Sequence, residues 1–267
     1  MATTSKKPKG GKAIDLEKED RLDQAQELIY DAWEAPTLAK AKALARKALK
    51  LSEDCADAYL ILSSGIKTDA ERLTLLRAAV AAGERALGPR AFKEMSGEFW
   101  GFLETRPYMR ALGELAHFLV SIEQFEEGRA CFQRMLELNP NDNQGARHEL
   151  LSLLIMLGRD VDAEKLYAQY KGDGFSSWAY ARLLLDYRKH GAKSKKAVKH
   201  LQKALAANRH IADFLTGRKK LPNTPPQPYA LGSEEEALEY LRNGGRAWLY
   251  MPDAIIWLKT VTEKEKI

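Results

Sequence analysis

Five histidines and two cysteines are the side chains of this chain best suited to hold a metal or attack a carbonyl. The histidines are His117, His148, His190, His200 and His210. None belongs to an H-E-x-x-H pair, and the ten-residue steps between the last three do not return to one helical face. Cys55 and Cys131 stand alone, without the C-x-x-C spacing of a zinc or redox site. No metal and no cofactor is expected. Asn139-Pro-Asn-Asp-Asn-Gln-Gly145 has the composition of a calcium loop in the wrong register: counted from Asn139, its glycine falls one place late and Glu149 one place early. It reads as a turn whose Asn and Asp side chains cap the next helix. Gly10-Gly-Lys12 and Gly172-Asp-Gly174 lack the remaining glycines and the preceding strand of a phosphate loop, and no G-x-S-x-G is present. Catalysis is not expected from this set.

What remains for function is a surface, and the elements that must present it are helices. From about Leu16 to Arg209, apolar residues recur every three or four positions, and no stretch alternates with period two. Prolines avoid the inferred helix interiors. The helices pair with a period near 34 residues. Leu112, Leu115, Ala116 and Leu119, followed by Phe125, Gly128, Phe132 and Met135 and ending at Asn139-Pro140, match the tetratricopeptide template. Small residues let antiparallel helices approach, and large ones fill the seam. Leu150, Leu151 and Leu154 with Ala163, Tyr167 and Tyr170 form the next pair. Trp178, Ala181 and Leu185 with Ala197, Leu201 and Ala204 form a weaker one. Upstream, Trp33 with Ala41, Ala45 and Ala48 makes one pair, and Tyr59, Leu62 and Ile66 with the 73–82 run another. Such units bury each other's faces only when stacked. The expected fold is therefore all-α: a tetratricopeptide-like helical-hairpin solenoid with a C-terminal helical cap.

Three segments are expected. Residues 1–13, with Lys6, Lys7, Lys9 and Lys12 and hardly an apolar side chain, read as a disordered basic tail. Residues 14–220 carry the repeats. Residues 221–267 hold a proline-rich crossing, Leu221-Pro-Asn-Thr-Pro-Pro-Gln-Pro-Tyr229, and capping helices. Ser233 and Glu236 read as a capping box, Gly244 or Gly245 as a left-handed helix end, and 252–262 as a last helix.

Two stretches go beyond the generic repeat: Gly97-Glu-Phe-Trp-Gly-Phe-Leu-Glu-Thr-Arg-Pro-Tyr-Met-Arg110 and Leu138-Asn-Pro-Asn-Asp-Asn-Gln-Gly-Ala-Arg147. With the proline-rich crossing and Gly232-Ser-Glu-Glu-Glu-Ala237, they resemble a mostly bacterial tetratricopeptide-like family related to the suppression-of-tumorigenicity-7 proteins. The resemblance runs from about Leu51 to Leu258 and departs at His148-Glu149. It implies a helical-repeat scaffold and no established catalytic activity.

In such arrays the first helix of each pair lines a concave groove. The template places Arg110, Gly113, His117 and Val120 there, then Gly145, His148, Ser152 and Ile155, then Arg182, Asp186 and Lys189. Glu104, Arg106 and Arg110 stand at the mouth of that face, beside Trp100 and Tyr108. They read either as a brace, Glu104 pairing with one of the arginines, or as a charged clamp for a partner's carboxylate. The partner-binding candidates are therefore Glu104, Arg106, Tyr108, Arg110, His117, His148, Ser152, Arg182 and Asp186.

The chain carries 42 Lys and Arg against 37 Asp and Glu, a net charge of +5. That excess is localised. The tail holds +4, and residues 188–220 hold eleven cations against Asp213 alone, so the rest is acidic. Lys195, Lys196, Lys199 and Lys203 flank the outer side of an amphipathic helix and form a basic band. A solvated face is the default reading; an acidic partner or nucleic acid are the alternatives, the latter without aromatic residues for stacking. The leading expectation is a non-enzymatic scaffold that binds a protein or peptide in the concave face. A nucleic-acid-associated repeat protein using 188–220 and an enzyme with a polar site around His117 and His148 are the competitors. Two cysteines without a disulfide framework suit a reducing compartment, hence the cytoplasm, and no apolar run is long enough to span a bilayer. The oligomeric state is left open.

Overall fold

The computed structural model describes residues 11–222 and 228–264. Among them are fourteen α-helices, one 3-10 turn and no strand. The all-α class is as expected. The chain divides into two compact units, Met1–Asn143 and Gln144–Ile267.

The first unit is three successive hairpins: α1 (Gly11–Trp33) with α2 (Leu38–Leu51), α3 (Ala56–Ser63) with α4 (Asp69–Glu94), and α5 (Arg106–Ser121) with α6 (Phe125–Leu138). Each hairpin packs on the next through α2 on α3, α4 on α5 and α3 on α5. The seams are made of small residues. Ala25, Ala41, Ala45, Ala48 and Ala58 gather around Ile29 and Ile61. Gly128 shows how close the helices come: a Cβ there would lie 2.8 Å from Val120 Cγ2 and 3.2 Å from the Ala116 carbonyl. Leu76, Leu115, Phe118 and Leu119 fill the space between the second and third hairpins. Fully burying a side chain of this size contributes about 1.5–3 kcal/mol. Thr37 caps α2, its Oγ1 accepting from the Lys40 N–H at 3.3 Å.

The second unit holds two hairpins, α7 (Ala146–Met156) with α8 (Asp160–Gln169) and α9 (Ser176–His190) with α10 (Lys195–Ala207). Four more helices follow: α11 (Arg209–Leu215), α12 (Glu234–Asn243), α13 (Arg246–Leu249) and α14 (Pro252–Lys264). They fold onto the hairpins, α12 against α9 and α13 against α7. Asn208 ends α10 and caps α11, accepting from the His210 N–H at 3.0 Å. The buried Glu236 carboxylate ties the unit together. It accepts from the Ser176 N–H (3.0 Å) and Oγ (2.8 Å), from Asn208 Nδ2 (3.1 Å) and from the Gly232 N–H (2.6 Å).

Several expectations change. The segment read as a tail, residues 1–13, lies outside the described residues except for 11–13, which form the first turn of α1. The helices after residue 220 belong to the same compact unit as the α7–α10 hairpins. Pro89 falls within the span of α4, after a break at Gly88 (φ 63°, ψ 169°), so it starts a new segment rather than interrupting one. Only half of the capping box forms: Ser233 Oγ accepts from the Glu236 N–H, but Glu236 is drawn away to Ser176 and Asn208. Gly244 and Gly245 are not left-handed, with φ −102° and −74°. Gly245 is there for space, since a Cβ would come within 2.8 Å of Leu241 Cα. In the 139–145 turn the N-cap position of α7 is Gly145 at φ 76°, and Asn139 and Asn141 donate to Asn143 Oδ1.

Candidate protein-binding surfaces

In the first unit the predicted charged clamp is rearranged. Arg110 does not pair with Glu104. Its Nε and Nη2 reach Asp57 of α3 at 2.9 and 2.5 Å. Asp57 is only 1% exposed and also accepts from Gln26 Nε2 at 3.1 Å. The Arg110 guanidinium lies over the Trp33 ring, 5.1 Å from its centre, and Trp33 in turn sits 5.5 Å from Tyr30. Both rings are about half exposed, 51% and 48%. One face therefore joins residues of α1, α3 and α5. Arg110, partly exposed, belongs to this face as well as to the ion pair.

The other first-unit candidates separate from it. Arg106 stacks on Trp100 and donates to the Trp100 carbonyl at 3.1 Å. Glu104 is exposed. Tyr108 is a core residue, packed edge-on against Phe92 and Phe99, and burial pushes its hydroxyl up to about 12. Its ring is not available to a partner. His117 is exposed and rests edge-on against Phe132. Gly113 and Val120, mapped to the groove by the template, are buried.

In the second unit the candidates are mostly held by one another. Arg182 makes two bonds to Glu164 (2.5 and 2.8 Å) and two to Asp186 (both 3.0 Å), and lies over Tyr167. Asp186 is buried, with the His200 ring on its other side. Ser152 is buried and donates to the Gly244 carbonyl at 2.6 Å. His148 stands edge-on to Phe175 and Trp178, with Nδ1 2.9 Å from Ser177 Oγ. Burial, with help from the neighbouring Arg147 cation, lowers it to about 4. The imidazole is therefore neutral at pH 7.

Ser177, His148 and Asp173 have the residue types of a nucleophilic triad without its geometry. His148 Nε2 is 3.7 Å from Asp173 Oδ2, too long for a hydrogen bond. Asp173 is turned instead to Arg147 Nε at 2.6 Å and the Phe175 N–H at 2.8 Å. The adjoining pocket, lined by His148, Ser152, Ser177, Trp178 and Tyr240, measures about 250 Å³ with its mouth included. Small-molecule sites begin at about 300 Å³. Among the described residues no group of His, Cys, Asp and Glu has the arrangement of a metal site, and no helix is long and apolar enough to cross a membrane.

The basic band is exposed as expected. Lys195, Lys196, Lys199 and Lys203 all face solvent on α10, and none has an ion pair among the described residues. The rest of the 188–220 stretch is partly neutralised, Arg188 by Asp160, Arg218 by Asp213 and Lys219 by Glu234. Four cations thus share one face of α10, and Lys189, Lys193, Arg209 and Lys220 are exposed elsewhere in the stretch. The repeat pattern in the sequence does not mark Tyr30, Trp33 or Asp57 as partner-binding or ion-pair residues. For Asp57 the signal was there: a carboxylate in an otherwise apolar run, Ala56-Asp-Ala58, must find a cation if it faces inward.

No family model matches the chain, and no curated protein matches it. Among solved structures it is similar to YrrB, described as a TPR protein with an unusual peptide-binding site. The TM-score is 0.48 at 23% identity, covering 73% of this chain and 90% of that one. It is also similar to pilF of Pseudomonas aeruginosa, with a TM-score of 0.32 at 17% identity, covering 71% and 92%. The chain is built of stacked helical hairpins.

Proposed function

We propose that the protein is a non-enzymatic scaffold that binds a protein segment on the α1–α3–α5 face of its first unit. The observation that carries this reading is the exposed Tyr30–Trp33 pair with Arg110 stacked on it. Tyr, Trp and Arg are the residues that dominate binding hot spots, and here the arginine is pre-positioned by the buried Asp57 rather than ordered on binding. A peptide with an apolar or aromatic anchor fits the rings. The outer edge of the Arg110 guanidinium suits a carboxylate beside that anchor.

The resemblance of residues 97–110 and 138–147 to the suppression-of-tumorigenicity-7 relatives supports the same scaffold role. A reducing, cytoplasmic setting is supported by the free cysteines. Burial raises Cys55 to about 12 and Cys131 to about 11, so both rest as thiols.

The test is affinity capture from the native host with wild type, Trp33→Ala and Tyr30→Ala, followed by titration of the captured partner. Both rings are half exposed, so either variant should keep its helicity and lose partner binding at least tenfold. Retained binding in both variants would sink this face as the site.

A further inference from the structure

Among the described residues the lysine face of α10 is left without a partner. Taking 100° per residue, Lys195, Lys196, Lys199 and Lys203 fall within an arc of about 100°. Ala197, Leu201 and Ala204, buried, occupy the opposite side. The face therefore points straight away from the unit, and nothing there competes for its charge.

A complementary face exists on α1. Asp20, Asp23, Glu27 and Asp31 are spaced three, four and four apart and fall within an arc of about 80°. All four are exposed, and none is in an ion pair among the described residues. Ala25, Ile29 and Ala32, buried against the next helices, lie on the other side. The two stripes match in charge number. They also match in length, about 16 Å for the acids and about 12 Å for the lysines at 1.5 Å per residue. Exposed apolar side chains flank both, Tyr30 on α1 and Val198 on α10.

We infer that the α10 face docks a second copy of this chain, through that copy's α1. Each copy carries both halves. Reciprocal contacts give a closed pair, and one-way contacts give a chain of copies. Charge complementarity is the argument for this occupant. Nucleic acid is the weaker candidate because the stripe has no aromatic side chain on which a base could stack. Contacts between exposed charges are short-ranged in salt, so the association must be weak and sensitive to ionic strength.

The experiment is sedimentation velocity of the full chain across a concentration series, at about 0.01 M and about 1 M salt, where the screening length falls from about 30 Å to about 3 Å. Wild type should show a concentration-dependent rise in sedimentation coefficient at low salt that disappears at high salt. A quadruple Lys195→Glu, Lys196→Glu, Lys199→Glu, Lys203→Glu variant should sediment as a monomer. So should a quadruple Asp20→Lys, Asp23→Lys, Glu27→Lys, Asp31→Lys variant. An equimolar mixture of the two should associate again, because each supplies the stripe the other has reversed. Far-ultraviolet circular dichroism checks that both variants stay helical; if a quadruple variant unfolds, the paired double variants at 199/203 and 27/31 replace it. A wild type that stays monomeric at low salt overturns the proposal. So does a mixture that stays monomeric. Binding of a labelled single-stranded oligonucleotide to α10 without any self-association would assign the face to nucleic acid instead.

Discussion

Arg110 and Asp57, fifty-three residues apart, are joined by two hydrogen bonds that lock α5 to α3, with the carboxylate buried and the guanidinium still partly in view. The pair is a structural tie and a boundary of the proposed binding face at once. Removing the arginine strands a buried charge that retains only Gln26. Arg110→Ala should therefore destabilise the protein by about 3 kcal/mol. Asp57→Asn should cost less, since the amide oxygen keeps one bond. Chemical denaturation of both variants and of the double mutant checks the order; losses that simply add in the double mutant would show that the pair is not coupled. Binding studies on Arg110 variants need this correction, whereas Trp33 and Tyr30 variants do not.

Neighbouring residues on α7 give opposite pH dependences. Burial, with the like charge of Glu239, raises Glu149 from 4.5 to about 7. Its stability contribution is fully present below pH 4.5 and is lost as pH rises to about 7. His148 is lowered from 6.5 to about 4, so its contribution is present above pH 6.5 and is lost as pH falls to about 4. Between pH 4.5 and 6.5 the two slopes oppose. Glu149→Gln should remove one of them, raising stability at pH 8 by on the order of 2 kcal/mol and leaving a slope that climbs with pH. Melting temperatures from pH 4 to 8 read this directly. A Glu149→Gln curve parallel to wild type would refute it.

Glu236 accepts four hydrogen bonds from three separate segments. Glutamine has one accepting oxygen, so Glu236→Gln should lose part of the set, and Glu236→Ala all of it, at about 3–5 kcal/mol. Hydrogen exchange should localise the loss to the second unit, with faster exchange at Ser176 and Gly232. Unchanged exchange at those amides would show that the carboxylate is not holding them.

The hairpins were legible in the sequence because their cause is local. Leu115, Leu119 and Phe132 recur at helical spacing, and the small residue at Gly128 marks where the helices touch. What was not legible depends on contacts across the chain. Arg110 has Glu104 and Arg106 as near neighbours in sequence, yet its partner comes from another hairpin. Glu236 occupies the right place for a capping box, but Ser176 and Asn208 offer a better-sheltered set of donors. Tyr108 sits at a mouth in sequence and in a core in space, because Phe92 arrives after the break at Gly88.

Gly128→Ala tests the closeness of α5 and α6. The added methyl would overlap Val120 Cγ2, so the hairpin must open or Val120 must change rotamer. A loss of about 1–3 kcal/mol is expected. Adding Val120→Ala should restore part of it. No rescue in the double variant would place the strain elsewhere.

The helices that follow α10 also bear on how this chain could have grown. Repeat arrays lengthen when a hairpin is duplicated and the new copy stacks on an exposed end. Here Asn208 ends α10 and starts α11 in one residue, and the Glu236 carboxylate binds Asn208 to the start of α9. A hairpin inserted after α10 would break that knot. Gain or loss of repeats over evolutionary time should therefore have been confined to the segments upstream of α9, with the last hairpin and its cover inherited as one block.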